Sequence, residues 1–275
     1  RRAVIQVLDA ALGVMITVPL AVPFFMIILI CTGQIDSILG FSWQSYLWLS
    51  AAGCNSFILA RSLNLKSLQL IGANATVILT RVNPLVSVIL GVSILGEAVT
   101  WELVLGVLLI VFGVILVGVN PQMFRSGKNM FSGIPRRAFM YGIGTGLVRG
   151  FSPIFIKMGL SGSGSPVAGA FIAFSAATII LSASLLHNKR RVALAGITGS
   201  AVGFFALQSL CSSTANLMRY TALDMAPVSV VAPIFAIAPV FILLFSFLFN
   251  RKLEVFSKNV IIGIIAVVVG AILLV

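Results

Sequence analysis

Charged side chains are scarce in this 275-residue sequence. Only 9% of the residues are charged, whereas 60% are hydrophobic, and the mean hydropathy is +1.16. A soluble domain of this size needs far more polar surface to stay in solution. The scarcity therefore excludes an ordinary soluble enzyme or binding module, and it indicates a protein whose main solvent is lipid.

Residues that commonly carry catalysis or bind metals are also few, with six Asp and Glu, one His and three Cys. The cysteines, Cys31, Cys54 and Cys211, have no paired spacing, so we interpret them as small core residues rather than a disulfide or a metal site. His187 stands beside a basic run and is interpreted as an interfacial residue. We expect no catalytic residues, no metal and no cofactor.

Basic residues are the exception to this scarcity, because 18 Lys and Arg give a net charge of +12. They are spread over many short loops rather than gathered on one domain, so we expect no nucleic-acid partner. Most of them fall on one face if successive loops alternate across a bilayer. This bias predicts that face to be cytoplasmic.

Apolar runs recur along the whole chain, and each is close to the roughly 20 residues that cross a bilayer as a helix. Helices are expected because lipid offers no partners to backbone hydrogen-bonding groups. The predicted fold is an all-α polytopic membrane helix bundle. Its nine spans are 9–31, 43–60, 68–95, 103–120, 138–158, 167–186, 199–220, 227–249 and 259–275.

An internal repeat relates the fourth span to the ninth. At a constant offset of 157 residues, Glu97 aligns with Glu254, and the glycines of one helix align with those of the other: Gly106 with Gly263 and Gly113 with Gly270. Glycines seven residues apart lie on one helix face and allow close packing. The two helices are five spans apart in the chain, and an odd offset reverses direction across the membrane, so the halves are expected to be inverted relative to each other, as in many carriers. We predict a first half at 1–120, a joining loop at 121–137 and a second half at 138–275.

A turn with a glutamate followed by a glycine-rich helix, found twice, resembles the EamA type of the drug/metabolite transporter superfamily. The resemblance implies ten helices in two inverted five-helix halves around a substrate cavity. Because nine spans are visible, it also implies that the first helix of that fold is missing here. The implied partners are a small-molecule substrate and the lipid bilayer, in the plasma or inner membrane; a homodimer is left open.

Polar side chains recur at helical spacing inside several predicted spans. We predict that they bind the substrate: Asn74, Thr80, Arg81 and Asn83 in the third span, Tyr141, Thr145 and Arg149 in the fifth, and Gln208, Ser212 and Asn216 in the seventh. The alternative for any single hydroxyl is a hydrogen bond to its own helix.

Arg81 and Arg149 lie in mid-span, where a charge costs about 2.5–3.5 kcal/mol, and no acidic residue stands at matching depth in the sequence. Either they bind an anionic substrate, or they bond to carbonyls freed by Pro84 and Pro153. The predicted function is a secondary transporter that moves a small organic metabolite by alternating access. A channel is the main alternative, and a lipid-handling enzyme is a weaker one.

Overall fold

The computed structural model describes residues 10–118, 136–162, 165–183, 199–238, 240–241 and 258–274. Within these ranges every regular element is helical, which confirms the predicted all-α fold class. Most of the predicted joining loop lies outside the described residues. The α-helices are α1 (Ala10–Cys31), α2 (Trp43–Cys54), α3 (Ala60–Thr80), α4 (Asn83–Leu95), α5 (Trp101–Gly118), α6 (Arg136–Leu160), α7 (Pro166–Ala183), α8 (Gly199–Met225), α9 (Val228–Phe235) and α10 (Lys258–Leu274).

The second and third predicted spans differ from the structure in where the helix is interrupted. A π-helix, Asn55–Leu59, joins α2 to α3, so residues 61–67, expected between two spans, are helical. These residues include no Gly or Pro, and Leu, Lys and Arg favour helix. The interruption falls instead at Arg81 and Val82, because Pro84 in the first turn of α4 has no N–H to bond to the carbonyl of Thr80.

The chain forms two compact units, each of which takes residues from both predicted halves. The first unit contains Arg1–Leu65 and Phe155–Met225, and the second contains Lys66–Ile154 and Ala226–Val275. The long helices α3 and α6 each pass from one unit into the other. The division into halves describes sequence similarity, and it stays a prediction.

In the first unit, α7 packs against α1, α2 and α8. The ring of Phe174 on α7 lies 5.1 Å from that of Phe25 on α1 and 4.4 Å from that of Phe57 on the π-helix. A Cβ built on Gly53 would lie 2.1 Å from the carbonyl oxygen of Ala173. Only glycine therefore allows α2 and α7 to approach so closely.

In the second unit, α5 and α10 pack against each other along their glycine faces. A Cβ built on Gly106 would lie 2.9 Å from the carbonyl oxygen of Gly270, and one on Gly113 would lie 2.5 Å from that of Gly263. The predicted close packing of these faces is confirmed. The core of this unit surrounds the contact and includes Leu103, Val107, Ile110, Val114, Ala236, Val267 and Leu274.

Large apolar side chains cover much of the helix surface. Ile27, Leu108, Ile179 and Ile272 are 59%, 54%, 69% and 70% exposed, and many others like them suit contact with lipid better than with water. By length and composition alone, Gly13–Cys31 and Pro166–Ala183 can cross a bilayer, whereas the apolar helices Asn83–Leu95, Trp101–Val114 and Ile262–Leu274 are shorter.

Candidate functional site

The interruption between α3 and α4 packs against a row of glycines on α6. Gly142, Gly146 and Gly150 are spaced by four residues, so they share one face of that helix. A Cβ built on Gly146 would lie 3.1 Å from the carbonyl oxygen of Thr80, and one on Gly150 would lie 2.5 Å from the side chain of Val86. The two backbones therefore approach closely at the interruption.

This contact brings predicted site residues on α3, α4 and α6 within about one helical turn of each other. The backbone of Asn83 lies beside both Gly146 and Gly150, whose preceding residues are Thr145 and Arg149. Ser87 on α4 fixes the same contact, because its Oγ donates to the Gly150 carbonyl at 3.0 Å. The side chain of Asn74, farther back on α3, is outside the described part of the chain.

Arg81 lies at the interruption itself and is half-buried. Its Nε is inaccessible to solvent and has no hydrogen-bond partner among the residues that the structure describes. A buried donor left without a partner costs about 1–3 kcal/mol. The alternative in which a carbonyl freed by Pro84 satisfies this nitrogen is therefore not supported for the Nε of Arg81.

The α6 residues of the predicted site have several different environments. Thr145 is fully buried, and its Oγ1 donates to the carbonyl of Tyr141 at 2.7 Å, which is the bond within its own helix that the sequence left open. The Tyr141 ring also receives a cation–π contact from Lys66, whose Nζ lies 5.4 Å from the ring centroid. Arg149 is half-buried and engaged in contacts.

The three predicted residues on α8 belong to the first unit. Gln208 and Ser212 are exposed, and the Nδ2 of Asn216 donates to the Ser212 carbonyl at 2.8 Å. The hydroxyl of Ser209, on another side of α8, donates to the carbonyl of Thr17 on α1 at 2.8 Å. A binding role for the three predicted residues stays a prediction.

Comparison with known proteins bears on the whole chain. The model of the EamA-like transporter family matches residues 2–119 and 136–275. The chain belongs to the EamA-like transporter family. As a member, it is an integral membrane protein and a transporter of small molecules, which agrees with the expectation that it is not an enzyme.

The fold of this EamA-like chain also resembles solved structures, among which 19 chains match. One crystal structure has 13% sequence identity and a TM-score of 0.76 over 99% of this chain and 90% of the other. At that identity the likeness shows the fold alone. No curated protein matches the sequence.

The structure gives Glu97 a role that its place in the repeat did not reveal. Its carboxylate accepts hydrogen bonds from the backbone N–H groups of Val228, at 2.6 Å, and Ser229, at 2.7 Å, in the first turn of α9. Gly96 ends α4 with a φ of +66°, and Gly91 leaves room for the carboxylate. In this EamA-like transporter, Glu97 therefore caps α9, because a negative group stabilises a helix N-terminus.

The glycine row on α6 was also missed by the sequence prediction of the site. Its signal was nevertheless present, since Gly142, Gly146 and Gly150 form two overlapping patterns of glycines four apart, a spacing typical of close contacts between membrane helices. The row determines which part of α3 and α4 lies beside Thr145 and Arg149.

Proposed function

We propose that this EamA-like transporter is a secondary carrier that moves a small organic anion across the membrane by alternating access. The observation that carries the proposal is the state of Arg81. Its Nε is buried without a hydrogen-bond partner among the described residues, at a helix interruption that packs closely against α6. A transported anion would supply that partner during part of the cycle.

The chemistry of the guanidinium favours a carboxylate or a phosphate. Its N–H groups form a planar fork that matches two oxygens at once, and hydrogen bonds between charged groups are about twice as strong as neutral ones. Thr80 and Asn83 place a hydroxyl and an amide on either side of Arg81 in sequence. We infer that these three residues bind the substrate together with Tyr141 and Arg149 on α6, whereas the hydroxyl of Thr145 is satisfied within its own helix. For Asn74, and for Gln208, Ser212 and Asn216 of the first unit, a binding role stays a prediction.

The interruption between α3 and α4 also supports a conformational cycle. Discontinuous helices are a recurring feature of carrier binding sites, where the ends of two helical segments meet near the substrate. Here the turn at Arg81 and Val82 and the missing N–H of Pro84 weaken the hydrogen bonding that holds α3 and α4 in line. The angle between the two helices can therefore change while few hydrogen bonds are lost, so substrate binding can favour one arrangement over another.

The test begins with a thermal-shift screen of the detergent-purified protein against amino acids, organic acids, sugar phosphates and nucleotides. A compound that raises the melting temperature is then radiolabelled, and its initial uptake is measured in proteoliposomes. Loss of one hydrogen bond to a charged group, worth about 1.5–3 kcal/mol, predicts that Arg81→Gln weakens apparent affinity by about tenfold or more.

Arg137→Gln is the matched control, because Arg137 is exposed at the start of α6 and its substitution also removes one positive charge. Uptake by this variant should equal that of the wild type. If Arg81→Gln also equals the wild type for every stabilising compound, Arg81 does not bind the substrate. Selection of uncharged compounds only in the screen would also contradict the proposal.

Two further expectations accompany the carrier. We expect the protein in the plasma or inner membrane of its cell, which membrane fractionation and immunoblotting would check. Homodimer formation also stays a prediction, and mass measurement of the protein–detergent complex by light scattering would test it.

A further inference from the structure

Buried polar side-chain atoms without a hydrogen-bond partner are concentrated in the first unit. Among the residues that the structure describes, five such atoms occur, and the Nε of Arg81 is the one in the second unit. The other four are the Nε of Arg61 and the hydroxyl oxygens of Ser175, Thr178 and Ser213. None of these four residues belongs to the predicted binding set, so their relative positions decide whether they form a separate site.

The packing of α1 against α8 shows which residue of α1 lies beside Ser213. Residues that lie side by side on neighbouring helices share a level, meaning the same height along the helix axes. Gly13 lies beside the ring of Phe205, and the Ser209 hydroxyl donates to the carbonyl of Thr17, so the two helices run in the same direction. One turn farther along both helices come Ala21 and Ser213, which are each 1% exposed. Ser213 therefore lies inside the first unit at the level of Ala21.

The packing of α7 against α1 places Thr178 at the same level. Phe174 on α7 contacts Phe25 on α1, whereas Ser165, before α7, bonds to Gln34, beyond the end of α1, so these two helices run in opposite directions. Moving one turn forward along α7 from Phe174 reaches Thr178. The matching step backward along α1 from Phe25 reaches Ala21.

Arg61, in the first turn of α3, lies at the same level as Thr178. Contacts of α2 and the π-helix with α7 advance in the same direction along both: Leu49 meets Gly169, Gly53 meets Ala173, and Phe57 meets Phe174. One turn beyond the last contact come Arg61 and Thr178. Arg61, Thr178 and Ser213 thus share one level of the first unit, and Ser175 lies about one turn away on α7.

The backbone is irregular at this level in two of the helices. The π-helix Asn55–Leu59 ends two residues before Arg61, and Pro19 and Pro23 flank Ala21 in α1. π-Helices occur frequently at functional sites, and each proline removes an N–H from the helix. Irregular backbone and unpaired polar side chains therefore coincide, which a core built only for stability would avoid.

No described acidic residue of the first unit lies at this level. Asp224 is 11 residues beyond Ser213 on α8, about 16 Å away at a rise of 1.5 Å per residue. Asp36 follows the end of α1, and its side chain is exposed. The described acids therefore leave the guanidinium charge of Arg61 without a counter-charge at its own depth.

We propose that Arg61, Thr178 and Ser213 form a buried oxyanion-binding site within the first unit, which takes a carboxylate or a phosphate group. A guanidinium and two hydroxyls are donors suited to oxygen ligands. The site uses residues of the first unit only, and it does not rest on the carrier function proposed around Arg81. Its oxyanion belongs to a soluble organic acid or to a lipid headgroup.

Thermal unfolding of the full chain in detergent tests the site with three probes: sodium acetate, sodium phosphate and a short-chain phosphatidic acid, each against sodium chloride at equal ionic strength. At least one probe should raise the melting temperature saturably. For that probe, Arg61→Gln should weaken apparent affinity about tenfold or more through loss of the charged donor, and Ser213→Ala should weaken it severalfold. Arg137→Gln, which removes an exposed guanidinium at the start of α6, should respond as the wild type does.

A second readout separates a ligand-binding guanidinium from a structural one. Without any probe, Arg61→Gln should melt at or above the wild-type temperature, because it removes a buried charge without a described counter-charge. Saturation by acetate or inorganic phosphate identifies a soluble ligand, and saturation by phosphatidic acid alone identifies a lipid headgroup. The proposal is overturned if no probe acts saturably, if Arg61→Gln responds as the wild type does, or if that variant is destabilised without a probe.

Discussion

Replacement of Glu97 by Gln removes the charged cap of α9 while it preserves the size of the side chain. The carboxylate accepts from the N–H groups of Val228 and Ser229 at 2.6 and 2.7 Å, whereas a Gln side chain has one acceptor oxygen for the two donors. The variant loses one hydrogen bond to a charged group, about 1.5–3 kcal/mol, and the favourable interaction of the charge with the helix N-terminus, about 0.3–1 kcal/mol. We therefore expect a destabilisation of about 2–4 kcal/mol.

Thermal unfolding of the purified protein in lipid nanodiscs measures this effect. One kcal/mol corresponds to about 2–4 °C in proteins of 150–250 residues, so the melting temperature of Glu97→Gln should fall by about 4 °C or more. Gly91→Ala should act in the same direction, because its Cβ would lie 2.7 Å from the Oε2 of Glu97. Glu102→Gln is the control, since it removes a half-buried carboxylate from the first turn of α5. Equal melting temperatures for Glu97→Gln and Glu102→Gln would refute the capping role.

Three further substitutions test the packing and the site. Gly113→Ala places a Cβ 2.5 Å from the Gly263 carbonyl oxygen and should destabilise the protein by about 1–3 kcal/mol. Gly203→Ala is the control, because its Cβ would have no atom within 4 Å, and its stability should equal that of the wild type. Equal unfolding curves for the two variants would contradict the close contact. Lys157→Met removes the Nζ that donates to the carbonyls of Leu223, at 2.7 Å, and Asp224, at 3.2 Å. The free energy of unfolding should fall by about 1–3 kcal/mol in a denaturant titration. An unchanged midpoint would show that these hydrogen bonds at the end of α8 do not stabilise the protein. Thr145→Val removes a hydroxyl that bonds to its own helix and should leave uptake within about twofold of wild type; a larger loss would show that the hydroxyl contacts the substrate.

The fold was predictable from the sequence where one local signal dominated. Long apolar runs predicted helices, and glycines seven residues apart predicted that α5 and α10 would each have a face for close packing, although not that these two helices would pack against each other. The polar segment 61–67 gave a wrong boundary, because charged residues between apolar runs indicate a loop only when Gly or Pro is present to end the helix. Pro84 was a better indicator of where the interruption would fall.

The candidate site was predictable only in part. The sequence located Arg81 in mid-span, but whether its Nε has a hydrogen-bond partner depends on tertiary packing, which the place of a residue in one span does not specify. The role of Glu97 was hidden for a similar reason, since its hydrogen-bond partners lie 131 and 132 residues away along the chain. Arg61 was assigned to a loop because of its charge, and its burial became visible only once α3 was seen to continue the π-helix.

Counterflow in proteoliposomes tests the central claim most directly. Vesicles are loaded with an unlabelled excess of the anion that stabilises the protein and are then diluted into a trace of the labelled compound. A carrier that exposes its site alternately to the two sides predicts transient accumulation of the label above its equilibrium level. Uptake that never exceeds equilibrium, together with single-channel currents in a planar bilayer, would contradict alternating access and identify a channel.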